Sequence, residues 1–155
     1  MNIRRAKSDD IEQIAKILLQ VSKLHSDNRP DIFKEKEVSE LAKQYEEIVS
    51  DNEKIIIVAE NEEKICGAMV CKIKVVEKSN NLKDCMTLNV DEICIDENCR
   101  SKGIGGMLIE EAKKLTKENN CCRLELNCWE FNKDAMRFYI NQGFEVQRTF
   151  LEINI

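Results

Sequence analysis

Residues 99–108, Cys-Arg-Ser-Lys-Gly-Ile-Gly-Gly-Met-Leu, hold three of the five glycines of a 155-residue chain, with Arg100 and Lys102 just ahead of them. Glycine lets a ligand come against the backbone, and the first turn of a helix offers unpaired N–H groups with a partial positive charge. The stretch therefore reads as an anion site at a helix start. A strand-to-helix turn that needs glycine only for its backbone angles is the plainer explanation, but one glycine would serve it. Three glycines with two cations favour a phosphate-bearing ligand. Two nucleotide templates fail: a P-loop needs Gly-Lys-Ser/Thr, and Gly106 is followed by Met107 and Leu108. A dinucleotide fingerprint needs a third glycine where Leu108 stands, and it opens the first βαβ unit rather than lying late in the chain.

Other reactive residue types are scarce or dispersed. His25 is the single histidine, in a polar break that also holds Asp27, Arg29 and Phe33. Eight cysteines, at 66, 71, 85, 94, 99, 121, 122 and 128, include no C-x-x-C pair, so zinc spacing is absent and no metal is expected. Several lie in apolar runs, where a thiol acts as a small hydrophobe. The opening MNIRRAKSDD lacks the apolar core of a secretory signal, so reduced, unpaired cysteines and a cytoplasmic location are expected. A net charge of −5 with scattered basic residues argues against nucleic acid, and no apolar run approaches the roughly 20 residues that span a bilayer.

The elements that must position the glycine stretch follow from hydrophobic spacing. The spacing predicts a strand over 2–6, a helix capped by Ser8 and running to about Leu24, and a second helix through Val38, Leu41, Tyr45 and Val49. Apolar runs at 54–60 and 65–77 predict a hairpin, and 85–95 a further strand. A helix from Gly103 or Ile104 to Glu118, a strand at 122–129, a helix at 132–143 closed by Gly143, and a last strand at 144–155 complete the chain. The order is mixed α/β in one domain, 1–155. A helix joins strands 85–95 and 122–129, which must then run parallel.

Arg100-Ser101-Lys102-Gly103-Ile104-Gly105 resembles the R-x-x-G-x-G/A signature of the GNAT acyltransferase superfamily, five residues after Ile95. LELNCWEFNKDAMRFYINQGF (124–144) is similar to a second signature, with Asn132, Ala135 three residues on, the pair Phe138-Tyr139, and Gly143-Phe144. The likeness covers about 85–150. The first half matches in element order, and HSDNRPDIFK (25–34) resembles a stretch seen in some members. The resemblance implies an α/β fold with a mixed, centrally splayed β-sheet flanked by helices and acetyl-CoA held between the splayed strands. On this pattern the amides of Gly103, Ile104, Gly105 and Gly106, with Arg100, Ser101 and Lys102, hold the pyrophosphate. The backbone of Ile93 and Ile95 pairs with the pantetheine, and Asn132, Ala135 and Phe138 complete the cofactor side. Asn132 is equally suited to capping its helix.

Tyr139 matches the residue that protonates the departing thiolate, and the Ile95 N–H would stabilise charge on the thioester oxygen. Asp91, with Glu92 second, is the candidate base, acting through water. Each serves equally well as an anionic contact for a cationic substrate. Strand alternation sets Asp91 on the face of Ile93 and Ile95 unless a bulge intervenes. His25, Asp27, Arg29 and Phe33 are candidates to line the acceptor side, against a solvated loop as the simpler reading, and Trp129 is either core or pocket wall. The implied activity is transfer of an acetyl group to a primary amine of a small molecule or peptide. The alternative is a non-catalytic acyl-CoA-binding or regulatory module. A homodimer through the C-terminal strand (FLEINI) is one use of that edge, and coverage within the chain is equally open.

Overall fold

The computed structural model describes residues 1–50 and 54–155. Strands β1 (Asn2–Arg5), β2 (Lys54–Asn61), β3 (Lys64–Val76), β4 (Cys85–Ile95) and β5 (Arg123–Leu126) form one sheet in that order. Helices α1 (Ile11–Asn28), α2 (Val38–Ser50), α3 (Ile104–Glu118) and α4 (Lys133–Asn141) complete the described elements. Neighbours from β1 to β4 are antiparallel, while β4 and β5, joined through α3, are parallel as predicted.

The β2–β3 hairpin turns on Glu62 and Glu63, at φ 49° and 66°, the left-handed pair that a two-residue loop requires. Strand alternation then sends Ile56, Val58, Ala68, Val70 and Cys94 to one face, where Ile14, Leu18, Leu41 and Tyr45 of α1 and α2 cover them. Ile57, Ala59, Met69, Cys71, Leu88 and Val90 go to the other face, under Ile104, Leu108, Ala112 and Leu115 of α3. Each large apolar side chain buried this way stabilises the fold by about 1.5–3 kcal/mol.

Four expectations are corrected. Ser8 does not cap α1: residues Ser8–Asp10 form a 3-10 turn, and the Asp10 carboxylate accepts the Lys7 N–H at 2.7 Å. Nor does the polar stretch after Leu24 end α1, which runs on to Asn28, just before Pro30. Cys85 and Cys122 are joined in a disulfide rather than reduced. Topology accounts for it, because Cys122 leads into β5 and its N–H meets Met86 O at 2.8 Å, beside the first residue of β4. Finally, β5 is only four residues long, and residues 144–155 form no strand because no neighbouring strand supplies a ladder.

Candidate active site

The site is built where β4 outlasts β5. Their pairing ends at Val90↔Leu126, and β4 runs on to Ile95 with no β5 rung beside it. Asp91 sits at this point as a bulge: Cys71 of β3 opposes Val90, Val70 opposes Glu92, and Asp91 has no counterpart. The extra residue shifts the alternation, so Val90, Ile93 and Ile95 all pack toward α3 while Cys94 packs toward α1 and α2. The expected face for Asp91 is therefore corrected by the bulge. Its carboxylate accepts from Asn89 Nδ2 at 2.6 Å and pairs with Lys54 Nζ at 2.9 Å. Glu92 instead accepts the hydroxyl of Tyr45 at 2.7 Å.

Past Ile95 the chain reverses through a short turn in which Asp96 accepts the Asn98 N–H. Ser101 and Gly103, at φ 61° and 76°, then swing it into α3. No side chain caps this helix, its first turn holds no acidic residue, and Met107 N–H to Gly103 O is its first closing bond. The amides of Ile104, Gly105 and Gly106 thus precede any intrahelical acceptor. Arg100 lies across the end of β4, its Nε 3.3 Å from Ile95 O and its terminal nitrogen 3.4 Å from Gln20 of α1. Lys102 Nζ reaches Asn98 O at 3.5 Å.

The glycines serve different purposes. Gly103 needs its left-handed backbone and faces open space, whereas a Cβ on Gly105 would lie 3.0 Å from Phe138 Cζ. The close visitor at Gly105 is the aromatic ring of α4, which seats α4 against α3. A Cβ on Gly67 of β3 would meet Ile95 Cδ1 at 2.7 Å, so this glycine lets the end of β4 close on the sheet. Its isolated place inside a strand was the available sequence signal.

On α4, Asn132 Oδ1 accepts the Ala135 N–H at 3.2 Å, the capping role. Tyr139 stacks edgewise on Phe138 and Phe144 at 5.4 and 5.8 Å. Burial, with the Cys128 and Cys94 thiols as neighbours, pushes its hydroxyl up to about 12. Cys94 is on β4 and Cys128 follows β5, so the phenol is near both strands beyond their last shared rung. Nearby rings form a chain: His25 stacks on Phe33 at 4.9 Å, Phe33 meets Trp129 at 5.2 Å, and Trp129 stacks on Phe131 at 6.0 Å. Arg29 lies 5.5 Å over Trp129 and pairs with Asp31 and Glu152, both at 2.7 Å. Burial lowers the His25 pKa, which favours the neutral ring. His25, Arg29 and Phe33 thus converge with Trp129, while Asp27 stays exposed outside the group. Tyr45 and Phe131 were missed by sequence reasoning, and helical spacing marked Tyr45 only as a core position.

An uncapped helix start free of acidic residues thus lies at the end of β4, beyond the last rung it shares with β5. The model of the acetyltransferase (GNAT) family matches residues 18–144, and the chain belongs to that family. Membership places it among acyltransferases. A tetramutant of the BH1408 protein of Bacillus halodurans is 27% identical and superposes over all of both chains with a TM-score of 0.94. An aminoglycoside N-acetyltransferase, AAC(6')-Iy, solved with CoA, shares the fold at 14% identity and TM-score 0.74, over 99% of this chain and 98% of that one. The uncharacterized protein YdhI of Bacillus subtilis is 28% identical over 80 residues, 48% of this chain and 50% of its own length. The match with that curated relative therefore spans half of its length. No helix among the described residues is long and apolar enough to cross a membrane.

Proposed function

We propose that the chain is an N-acetyltransferase that moves the acetyl group of acetyl-CoA directly to a primary amine of a small molecule or peptide within a ternary complex. The observation that carries this reading is the opening after Val90↔Leu126, with the uncapped turn of α3 at its end and Tyr139 between its walls. Coenzyme A supplies an activated thioester. The amides of Ile104, Gly105 and Gly106, with Arg100 and Lys102, suit its pyrophosphate because they pool helix-dipole and full positive charge. Gly103 and Ser101 serve by shaping the turn. The edge of β4 from Ile93 to Ile95 suits the pantetheine amides, and the Ile95 N–H is our candidate donor to the thioester oxygen. Asn132, Ala135 and Phe138 contribute by fixing the start and seat of α4.

Tyr139 is the assigned acid: raised above its ordinary value, its phenol stays protonated until a thiolate needs the proton. Glu92 is preferred to Asp91 as base, through ordered water, because both Asp91 oxygens already hold Asn89 and Lys54. A net charge of −5 and these two carboxylates favour a cationic acceptor, in line with the aminoglycoside enzyme that shares the fold.

The test is a thermal melt with acetyl-CoA followed by assay of coenzyme A thiol release across a panel of amines. We expect stabilisation and release on at least one amine. In Tyr139→Phe the stabilisation persists while turnover falls about a hundredfold. Absence of stabilisation sinks the donor assignment, and stabilisation without release on any amine identifies a non-catalytic acyl-CoA-binding module.

A further inference from the structure

The parallel pair that opens into the site is fastened at its other end by a covalent bond. Cys85 begins β4 and Cys122 stands directly before β5, and the two are joined across 37 residues of sequence. The rungs that follow run from Thr87↔Arg123 to Val90↔Leu126, where the strands part. At about 3.3 Å per residue, the bond and the opening lie roughly 13 Å apart along β5.

Beyond that bond, this wall of the site is lightly held. Among the described strands β5 pairs with β4 alone, and none of its four residues is fully buried. Leu124 and Leu126 pack partly against the core under α3. Helix α4, which follows β5 and carries Tyr139, has no buried residue either. It rests on α3 through Phe138 against Gly105 and through Lys113, whose Nζ meets Gln142 O at 3.2 Å. Linking segments so far apart in sequence removes chain freedom that four rungs would otherwise have to offset.

The bond is also open to reagents. Cys122 is exposed and Cys85 half-buried, whereas Cys66, Cys71, Cys94 and Cys99 are buried thiols and Cys121 and Cys128 are partly covered. Exchange needs access to sulfur, so exposed disulfides are the labile ones. This chain can be reduced at its bridge without disturbing the thiols of its core.

We propose that the Cys85–Cys122 bond is a redox clasp on the transfer site: a dithiol reductant opens it, β5 and α4 loosen together, and Tyr139 leaves its working position until the bond is reformed. One thiolate of the dithiol attacks Cys122 Sγ and forms a mixed disulfide. The Cys85–Cys122 bond breaks, and its electron pair leaves on Cys85, which takes up a proton. The second sulfur of the dithiol then displaces Cys122 as a thiol. The protein gains two electrons and two protons, and the dithiol ends as a disulfide. The step from clasp to turnover rests on the role proposed above for Tyr139, while the step from clasp to β5 does not.

Trp129, the single tryptophan, lies three residues beyond β5 and reports on this wall without any acceptor. Wild type is compared in dithiothreitol, after reoxidation by glutathione disulfide, and as the double variant Cys85→Ser/Cys122→Ser. Alkylation after denaturation should count eight thiols in the reduced chain against six in the oxidised one. Reduction should move Trp129 emission to the red, speed exchange of the Leu124–Leu126 amides about tenfold and lower Tm by about 10 °C, all reversed on reoxidation. The double variant should match the reduced protein in either buffer, and Cys121→Ser should match wild type. Acetyl transfer, followed as loss of the acetyl-CoA thioester with the amine panel, should fall about tenfold on reduction. Unchanged emission and amide exchange after full reduction overturn the clasp, and so does a bond that dithiothreitol leaves intact in the folded chain. Loosening of β5 with transfer undiminished overturns the link to turnover. Transfer by neither form counts against the proposed function alone, and the β5 readouts still decide the clasp. Should the double variant not fold, reduced and reoxidised wild type carry the same comparison.

Discussion

Tyr45 reaches out of the helical layer to give its hydroxyl to Glu92, and its own side chain is wholly buried. A buried donor that ends on a carboxylate fixes the orientation of that carboxylate. Tyr45→Phe removes the donor and keeps the ring. The folded state should lose about 1 kcal/mol, and kcat should fall with KM for acetyl-CoA unchanged. An unchanged kcat would place Glu92 outside the chemistry. Nothing in the sequence pairs position 45 with position 92. Helical spacing shows that Tyr45 faces inward, and only the folded register shows what it meets. The pairing of Asp91 is hidden in the sequence for the same kind of reason, since Lys54 comes from a strand more than thirty residues away.

Helix α3 with its glycine approach and α4 behind it form the working unit at the next scale. The glycine cluster was legible as a helix start beside a ligand because Arg100, Lys102 and three glycines together exceed what a turn requires. That Gly105 accommodates Phe138 was not legible, because the pair is a contact between two helices. Gly105→Ala places a methyl group 3.0 Å from Phe138 Cζ, while Gly106→Ala makes ordinary contact 3.6 Å from Gln142 Oε1. Overpacking outweighs the helical preference for alanine at 105 but not at 106. Thermal melts of the two apo variants should put Gly105→Ala about 2–4 °C below wild type and Gly106→Ala at or above it. The reverse order would show that α4 does not rest on α3 through this ring.

For the molecule as a whole, one guanidinium ties its beginning together. Arg4 of β1 bridges Asp10, ahead of α1, at 2.6 Å and Glu60 of β2 at 2.7 Å. Its hydrogen bonds hold both carboxyls below their ordinary range. A lowered folded-state pKa gives stability that is present above the unfolded value near 4 and is lost as pH falls. Arg4→Ala should therefore lower Tm at pH 7 and flatten the fall in Tm between about pH 5 and pH 3. A parallel downward shift with unchanged slope would remove the carboxylates from the account. At this scale the order of elements, the hairpin and the parallel crossover were readable from periodicity and turn residues. The Cys85–Cys122 link and the absence of a strand over 144–155 were not, since both depend on which segments become neighbours. The bulge at Asp91 reaches furthest. Before it, β4 presents even-numbered residues, Leu88 and Val90, to α3; after it, odd-numbered ones, Ile93 and Ile95. The strand is two half-strands spliced out of phase by one residue, and the splice falls where the sheet opens. What position 91 contributes first is therefore length. Removing that single residue would leave Glu92 to Ile95 on the sides of the sheet they now hold and make the alternation from Val90 continuous, whereas drawing Asp91 into the ladder would turn them over.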